Sequence, residues 1–375
     1  MRSSICHIIT GLGRAGAESF LLRLIQNLKA FDHHVIVLGA SEDLEFTREF
    51  EVVAHVTFLN MKPNLRDFIQ GTCRLRQLIR ELQPQMIQGW MYHGNLLALM
   101  VGLGQNIPVL WNIRNGPMEA SGQHKLPLTN LTNWVIKVGA LLSSMPKTII
   151  CCSQNAARIH QGWGYRGDKF QIIPNGIDLK RFQVSSEKRA EVRTSWGISP
   201  DQKVIGFVGR FHPQKDIPTF FQALELLCAQ DPKVVGVMYG RGLSFENPEL
   251  LTLLEHLPNL KGHINLMGPR SDVENIYPGF DMMCSSSSFG EAFPNVLAEA
   301  MACGVPCAAT DVGDAGIIIG DQGLICDIKN PEQLAENLRA ILTEPQKFQE
   351  CRKRIQENFS LEKCLESYQT IYAAS

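Results

Sequence analysis

The chain has 375 residues, 45% of them hydrophobic and 19% charged, with a formal net charge of −1. That length exceeds an ordinary single domain and predicts two, each large enough to bury its own core. No apolar run approaches the ~20 residues that cross a bilayer, and the near-neutral balance without any basic–aromatic motif argues against nucleic-acid binding.

The predicted elements alternate along the chain. Short apolar runs fall at Ile5–Ile9, Val35–Leu38, Val109–Ile113, Thr148–Cys152 and Phe170–Ile173, then at Lys203–Val208, Val234–Tyr239, Ile264–Met267 and Asp281–Cys284. Amphipathic stretches lie between them, among them Glu18–Leu28, Leu65–Leu82, Ile217–Ala229 and Pro331–Leu342. Strands separated by helices predict parallel sheets wound on both faces. The pattern runs twice and breaks at the Pro174-Asn175-Gly176 turn. The expected organisation is α/β, with Rossmann-like domains over 1–174 and 175–360. A last helical segment, 361–375, is expected to pack back on the first.

The 11 cysteines are scattered, several inside apolar runs (Cys151, Cys152, Cys284, Cys303), and show no CxxC or Cys/His spacing. They read as buried thiols of a reducing compartment, not as a metal site. Ile5–Ile9 breaks at Thr10-Gly11 and does not read as a signal peptide, so a cytoplasmic location is expected. Charge is uneven. Residues 1–175 hold 17 Lys/Arg against 11 Asp/Glu, and the remainder holds 19 against 26. The basic half either favours a phosphate-bearing acceptor or an anionic membrane surface, or reflects ordinary surface scatter.

Gly11-Leu12-Gly13-Arg14-Ala15-Gly16 follows a strand and opens a helix, matching GxGxxG, whose amides and helix N-terminus suit a diphosphate. A nicotinamide dehydrogenase also needs an acid at the end of the second strand. Here that strand ends Val37-Leu38-Gly39-Ala40, and the nearest acid, Glu42, comes late. The more specific pattern is Phe289-Gly290-Glu291-Ala292-Phe293-Pro294-Asn295 running on to Glu299. One carboxylate sits at a helix N-terminus beside undonated amides, and a second lies inside the helix. Such a pair suits a sugar diphosphate; a bare pair of solvated glutamates is the plain alternative.

With Ala300-Met301-Ala302-Cys303-Gly304-Val305-Pro306 after it, this segment resembles the glutamate-x7-glutamate motif of family-4 glycosyltransferases. Ala15-Gly16-Ala17-Glu18, Ile173–Asp178, Gly209-Arg210-Phe211 with Lys215-Asp216, and Gly268–Asp272 resemble the same family, in order along nearly the whole chain. The resemblance implies a GT-B fold, two Rossmann-like domains facing a central cleft. It implies a retaining enzyme that moves a sugar from a nucleotide sugar, a UDP- or GDP-sugar, to a glycan or lipid-linked acceptor in cell-surface polysaccharide or glycoconjugate synthesis. It assigns Arg210 and Lys215 to the donor diphosphate, Glu299 to the ribose, and Glu291 with the amides of Ala292, Phe293 and Asn295 to the donor sugar. Arg210, Lys215 and Glu291 are the expected catalytic residues. Gly16 would give the N-terminal loop room near the diphosphate, and Arg270 would lie near the base. No Asp-x-Asp follows a strand, so neither metal nor cofactor is expected; Arg210 and Lys215 would replace a metal electrostatically.

Three positions depart from the family. Arg114 stands near where relatives place a histidine, and is either a donor or acceptor contact or a plain strand-end arginine. His93 opens a helix and either faces ligand or is structural. Arg241 interrupts Gly240 and Gly242, where relatives often carry an acid. Arg66, Arg74, Arg76 and Arg80 on Leu65–Leu82, with Trp134 and Lys137 in Asn130–Ser144, suit either peripheral association with the inner face of a membrane or a solvated basic surface. A nucleotide-sugar epimerase of the same fold and a non-catalytic nucleotide-sugar binder are the alternative functions.

Overall fold

The computed structural model describes residues 3–41, 43–116 and 130–374, and divides into two compact units. Residues 3–115, 130–174 and 364–374 form one; Gly116 and residues 175–363 belong to the other. Glu42 lies outside the described residues.

The first unit is built on seven parallel strands: β1 (Ser3–Ile9), β2 (Phe31–Val37), β3 (His55–Phe58), β4 (Met86–Trp90), β5 (Val109–Ile113), β6 (Thr148–Cys151) and β7 (Phe170–Ile172). Their order is β3-β2-β1-β4-β5-β6-β7. In β1, Ile5 and Ile9 point to a core shared with Phe20, Leu24 and Tyr368, while Cys6 and Ile8 point to one shared with Leu75, Ile79 and Trp111. Both faces are covered, so the strand reads as an unbroken apolar run.

Strands β3 and β4 do not stand out as apolar runs. In β4 the polar Gln88 hides a strand in Met86-Ile87-Gln88-Gly89-Trp90; its Oε1 accepts from the Tyr372 hydroxyl, while its buried Nε2 has no hydrogen-bond partner among the described residues. Gly89 is required by close approach, since a Cβ there would lie 2.5 Å from Cα of Asn95. The helix Leu65–Leu82 starts where Asn64 accepts from the Asp67 amide and stops at Gln83, which is left-handed with φ 46°.

The second unit has six parallel strands: β8 (Lys203–Val208), β9 (Val234–Tyr239), β10 (Ile264–Leu266), β11 (Met282–Ser285), β12 (Cys307–Thr310) and β13 (Gly323–Cys326). Their order is β10-β9-β8-β11-β12-β13. Strand β11 begins one residue later than Asp281, whose amide still donates to the Val204 carbonyl at 2.9 Å while its carboxylate accepts from Arg189, Arg193 and the Val204 amide. The small side chains of β12, Cys307-Ala308-Ala309, let the helices Asn295–Ala302 and Pro331–Thr343 pack directly on the sheet. Among the described residues no helix is long and apolar enough to cross a membrane.

Candidate functional site

In the second sheet β8 and β11 are neighbours, although β9 and β10 separate them in sequence. The strand order reverses between them, and open α/β sheets bind ligands outside the carboxyl ends of strands at such a reversal. Arg210 follows β8 and Glu291 follows β11, so the topology delivers both loops to one place.

Lys215 and Glu291 form an ion pair there, Nζ to Oε1 2.6 Å, with side chains only 15% and 13% exposed. Lys215 closes a 3-10 turn, Pro213–Lys215, that ends at the left-handed Asp216 with φ 44°. Ser286 Oγ donates to the carbonyls of Lys215 and Asp216, at 2.8 and 3.0 Å, and so clamps the lysine's backbone to the β11 loop. The same carboxylate oxygen accepts from Ser287 Oγ at 2.9 Å and from Gln214 Nε2 at 3.3 Å. Gln214 in turn accepts from Arg210 Nη2 at 3.2 Å. Arg210, Gln214, Glu291 and Lys215 thus form one chain of polar contacts.

Glu291 follows Gly290, whose φ of 77° favours glycine. Ala292 and Phe293 are buried, Phe293 with its ring 5.6 Å from that of Phe359. The Ala292 carbonyl accepts from the Asp314 amide at 2.9 Å. The N–H groups of Ala292 and Phe293 donate to no backbone oxygen among the described residues. Pro294 is the N-cap of the helix Asn295–Ala302, one position before its first turn. Asn295 Oδ1 accepts from Asn175 at 2.8 Å. Glu299, inside that helix, accepts from the Tyr277 hydroxyl at 2.8 Å. Burial, and then the charge of Glu299, push the Tyr277 phenol up, so it stays neutral and keeps donating.

Arg270 lies beyond β10, two strands from β8, and carries its own counter-ion. It forks onto Asp272 at 2.6 and 2.8 Å. The Arg270 hydrogen bond, with one from Asn275, holds the Asp272 carboxyl well below the usual range. Arg210 is instead tied to a neutral amide, which leaves its charge uncompensated by that contact.

In the first unit the strand order reverses between β1 and β4. Gly16 opens the helix Gly16–Asn27 after β1, with nothing within 4 Å of where a Cβ would stand. Arg14, in the same glycine-rich loop, is held by Asp43 at 3.2 Å and Glu49 at 2.8 Å. His93 lies in the first turn of the helix Met91–Gly102, directly after β4. It is half-buried, and desolvation lowers its pKa. Arg114 follows β5. Its guanidinium stands 3.4 Å from the Phe20 ring centroid and donates to Asn112 Oδ1 at 3.3 Å and the Tyr368 hydroxyl at 3.1 Å. Gly16, His93 and Arg114 therefore share the carboxyl edge of the first sheet. Arg114 spends its planar face and part of its donor set on its own unit.

Among the described residues, no group of three or more His, Cys, Asp or Glu is arranged to hold a metal ion.

Two family models cover the chain in succession: Glycosyltransferase Family 4 over residues 14–181 and Glycosyl transferases group 1 over residues 188–358. The chain belongs to the family-4, group 1 glycosyltransferases. A D-inositol 3-phosphate glycosyltransferase of Rhodococcus jostii is 29% identical over 233 residues, which is 58% of this chain and 50% of that protein. The N-acetyl-alpha-D-glucosaminyl L-malate synthase of Bacillus anthracis is 28% identical over 72% of this chain and 68% of its own length. The chain spans about half the length of the first of these relatives. The crystal structure of Anabaena HepE in complex with UDP superposes with a TM-score of 0.85 at 19% identity, covering 100% of each chain, and establishes the GT-B fold.

In this family-4 chain, Gln214, Ser286 and Ser287 belong to no motif, yet the fold brings them against Lys215 and Glu291. Gln214 sits directly before Lys215, and the serines form the run Ser285–Ser288 before Glu291. Their adjacency to motif residues was the available signal, but no local pattern says which hydroxyl meets which carboxylate.

Proposed function

We propose that this chain is a retaining glycosyltransferase that moves a sugar from a nucleotide sugar to a glycan or lipid-linked acceptor without a metal. The observation that carries the reading is the Lys215–Glu291 pair at the β8/β11 reversal, with Arg210 joined to it through Gln214. Arg210 and Lys215 neutralise charge on the departing diphosphate. Glu299 takes the ribose hydroxyls. Glu291 and the amides of Ala292 and Phe293 take the donor sugar. The acceptor enters on the face the diphosphate leaves, and a phosphate oxygen removes its proton, which retains the anomeric configuration. The UDP in HepE supports testing UDP-sugars first.

A thermal-shift screen of nucleotide sugars tests the donor assignment, since a bound donor raises the melting temperature by mass action. Turnover that needs an acceptor separates transfer from epimerisation, which would consume the donor alone. Binding without any product would identify a non-catalytic binder.

We further propose synthesis of a cell-surface glycoconjugate at the inner face of a membrane. The helix Leu131–Leu142 exposes Leu131, Trp134, Val138 and Leu141, at 69%, 54%, 40% and 83%, along one stripe beside Lys137. The helix Leu65–Leu82 packs into the same face of the first sheet through Leu75 and Ile79, and exposes Arg66, Arg74, Arg76 and Arg80. Apolar area with interspersed cations suits an anionic bilayer surface. Flotation with liposomes tests this, and absence of binding to anionic vesicles at low salt removes it.

A further inference from the structure

Glu291 concentrates its contacts on one atom. Lys215 Nζ, Ser287 Oγ and Gln214 Nε2 all meet Oε1, at 2.6, 2.9 and 3.3 Å. A carboxylate oxygen so placed offers Lys215 what a phosphate oxygen would offer: a negative acceptor at charge-assisted hydrogen-bond distance. Gln214 also accepts from Arg210. Both cations assigned to the diphosphate are therefore linked to this one carboxylate, Lys215 directly and Arg210 through the amide.

We propose that Glu291 stands in for the donor's diphosphate on Lys215 when no ligand is bound, and that this substitution makes binding depend on the sugar. The proposal rests on the nucleotide-sugar reading above. A nucleoside diphosphate without a sugar draws Lys215 away from Glu291 and returns nothing to the carboxylate. Largely buried and left with two neutral donors, that carboxylate is poorly satisfied. A sugar nucleotide carries hydroxyl donors next to the same phosphate, and these meet Glu291 as its cation moves to the diphosphate. Every charge is then matched only when the sugar is present. Once the sugar has been transferred, Glu291 closes again on Lys215 and competes with the nucleoside diphosphate, which speeds product release. Gln214 is the positioning residue: its amide holds Arg210 and Glu291 in register, so that both cations change partner together.

The test is calorimetric titration of the full chain with UDP, GDP, UDP-glucose and GDP-mannose. In Glu291→Gln, the bare diphosphate is expected to bind about tenfold tighter, the scale of one hydrogen bond to a charged group. The sugar nucleotide is expected to gain nothing, so the preference between them shifts toward the bare diphosphate. Ser287→Ala keeps the charge but leaves the carboxylate with one neutral donor fewer when Lys215 departs, so it should shift the preference the opposite way, toward the sugar nucleotide, by a smaller factor. It carries the test if Glu291→Gln does not fold. If the protein binds and turns over a sugar nucleotide but neither variant shifts the preference, the stand-in proposal fails and the donor reading survives. If wild type and variants bind none of the four, the donor reading fails and the proposal with it.

Discussion

The Tyr368 hydroxyl accepts from Asn112 Nδ2 at 2.7 Å, across 256 residues of chain. Tyr368 and Asn112 are both fully buried, and Arg114 donates to the same hydroxyl at 3.1 Å. The last helix thus satisfies a buried amide in the middle of the first sheet. Tyr368→Phe leaves Asn112 without that acceptor and removes a partner from Arg114. The expected loss is about 1–3 kcal/mol of stability, read by urea denaturation; an unchanged midpoint would contradict it.

A second buried chain makes stability depend on pH. Trp90 Nε1 donates to His7 Nδ1 at 3.2 Å, so His7 carries its proton on Nε2 and passes it toward His33 Nδ1 at 3.0 Å. His33 Nε2 then donates to the Leu28 carbonyl at 3.1 Å. Another proton on either ring would face an N–H. Burial lowers both pKa values, that of His7 well below 6.5. Burial also pushes His160, bonded to Tyr92 at 2.9 Å, down from 6.5 to about 4. Between those values the unfolded chain binds more protons than the native one, so stability falls as pH drops from 6.5 toward 4. His160 alone accounts for about 3 kcal/mol of that fall. Denaturant midpoints measured across this range check the slope, and a flat profile would refute it.

Gly240 has φ 150°, and a Cβ there would lie 1.8 Å from the Gly209 carbonyl oxygen. The clash falls on backbone beside Arg210 and has no flexible side chain to absorb it. Gly240→Ala is expected to cost about 1–3 kcal/mol from strain and to displace Arg210. Donor affinity should therefore fall even at temperatures where the variant stays folded. Retained affinity in a folded variant would show that the loop has another way to relax.

The proposed use of cationic side chains in place of a metal predicts indifference to chelators. Added EDTA should leave the transfer rate unchanged, whereas Lys215→Ala should lower it by about 10²–10³, the scale for removing one preorganised charge-stabilising group. A strict requirement for Mg²⁺ or Mn²⁺ would overturn the metal-free mechanism.

Much of this protein is legible locally. The apolar runs of β1, β5, β8 and β9, the 18-residue helix Leu65–Leu82 and the motif residues Arg210, Lys215, Glu291 and Glu299 all follow from short-range pattern, because periodicity and turn chemistry act over a few residues. Strands β12 and β4 escaped that pattern. Cys307-Ala308-Ala309-Thr310 is strand through its pairing with β11 and β13, and in β4 the Oε1 of Gln88 finds its donor in Tyr372, 284 positions away.

By itself the sequence determined the alternation of strands and helices, the break near Pro174, and the residue types that suit a sugar diphosphate. Only the tertiary structure decided that β8 lies beside β11, that Gln214 links Arg210 to Glu291, and that Arg114 stacks on Phe20. Strand order and side-chain partnership are long-range outcomes. They depend on which faces bury together once the chain has closed loops of tens to hundreds of residues, and no local spacing encodes that choice.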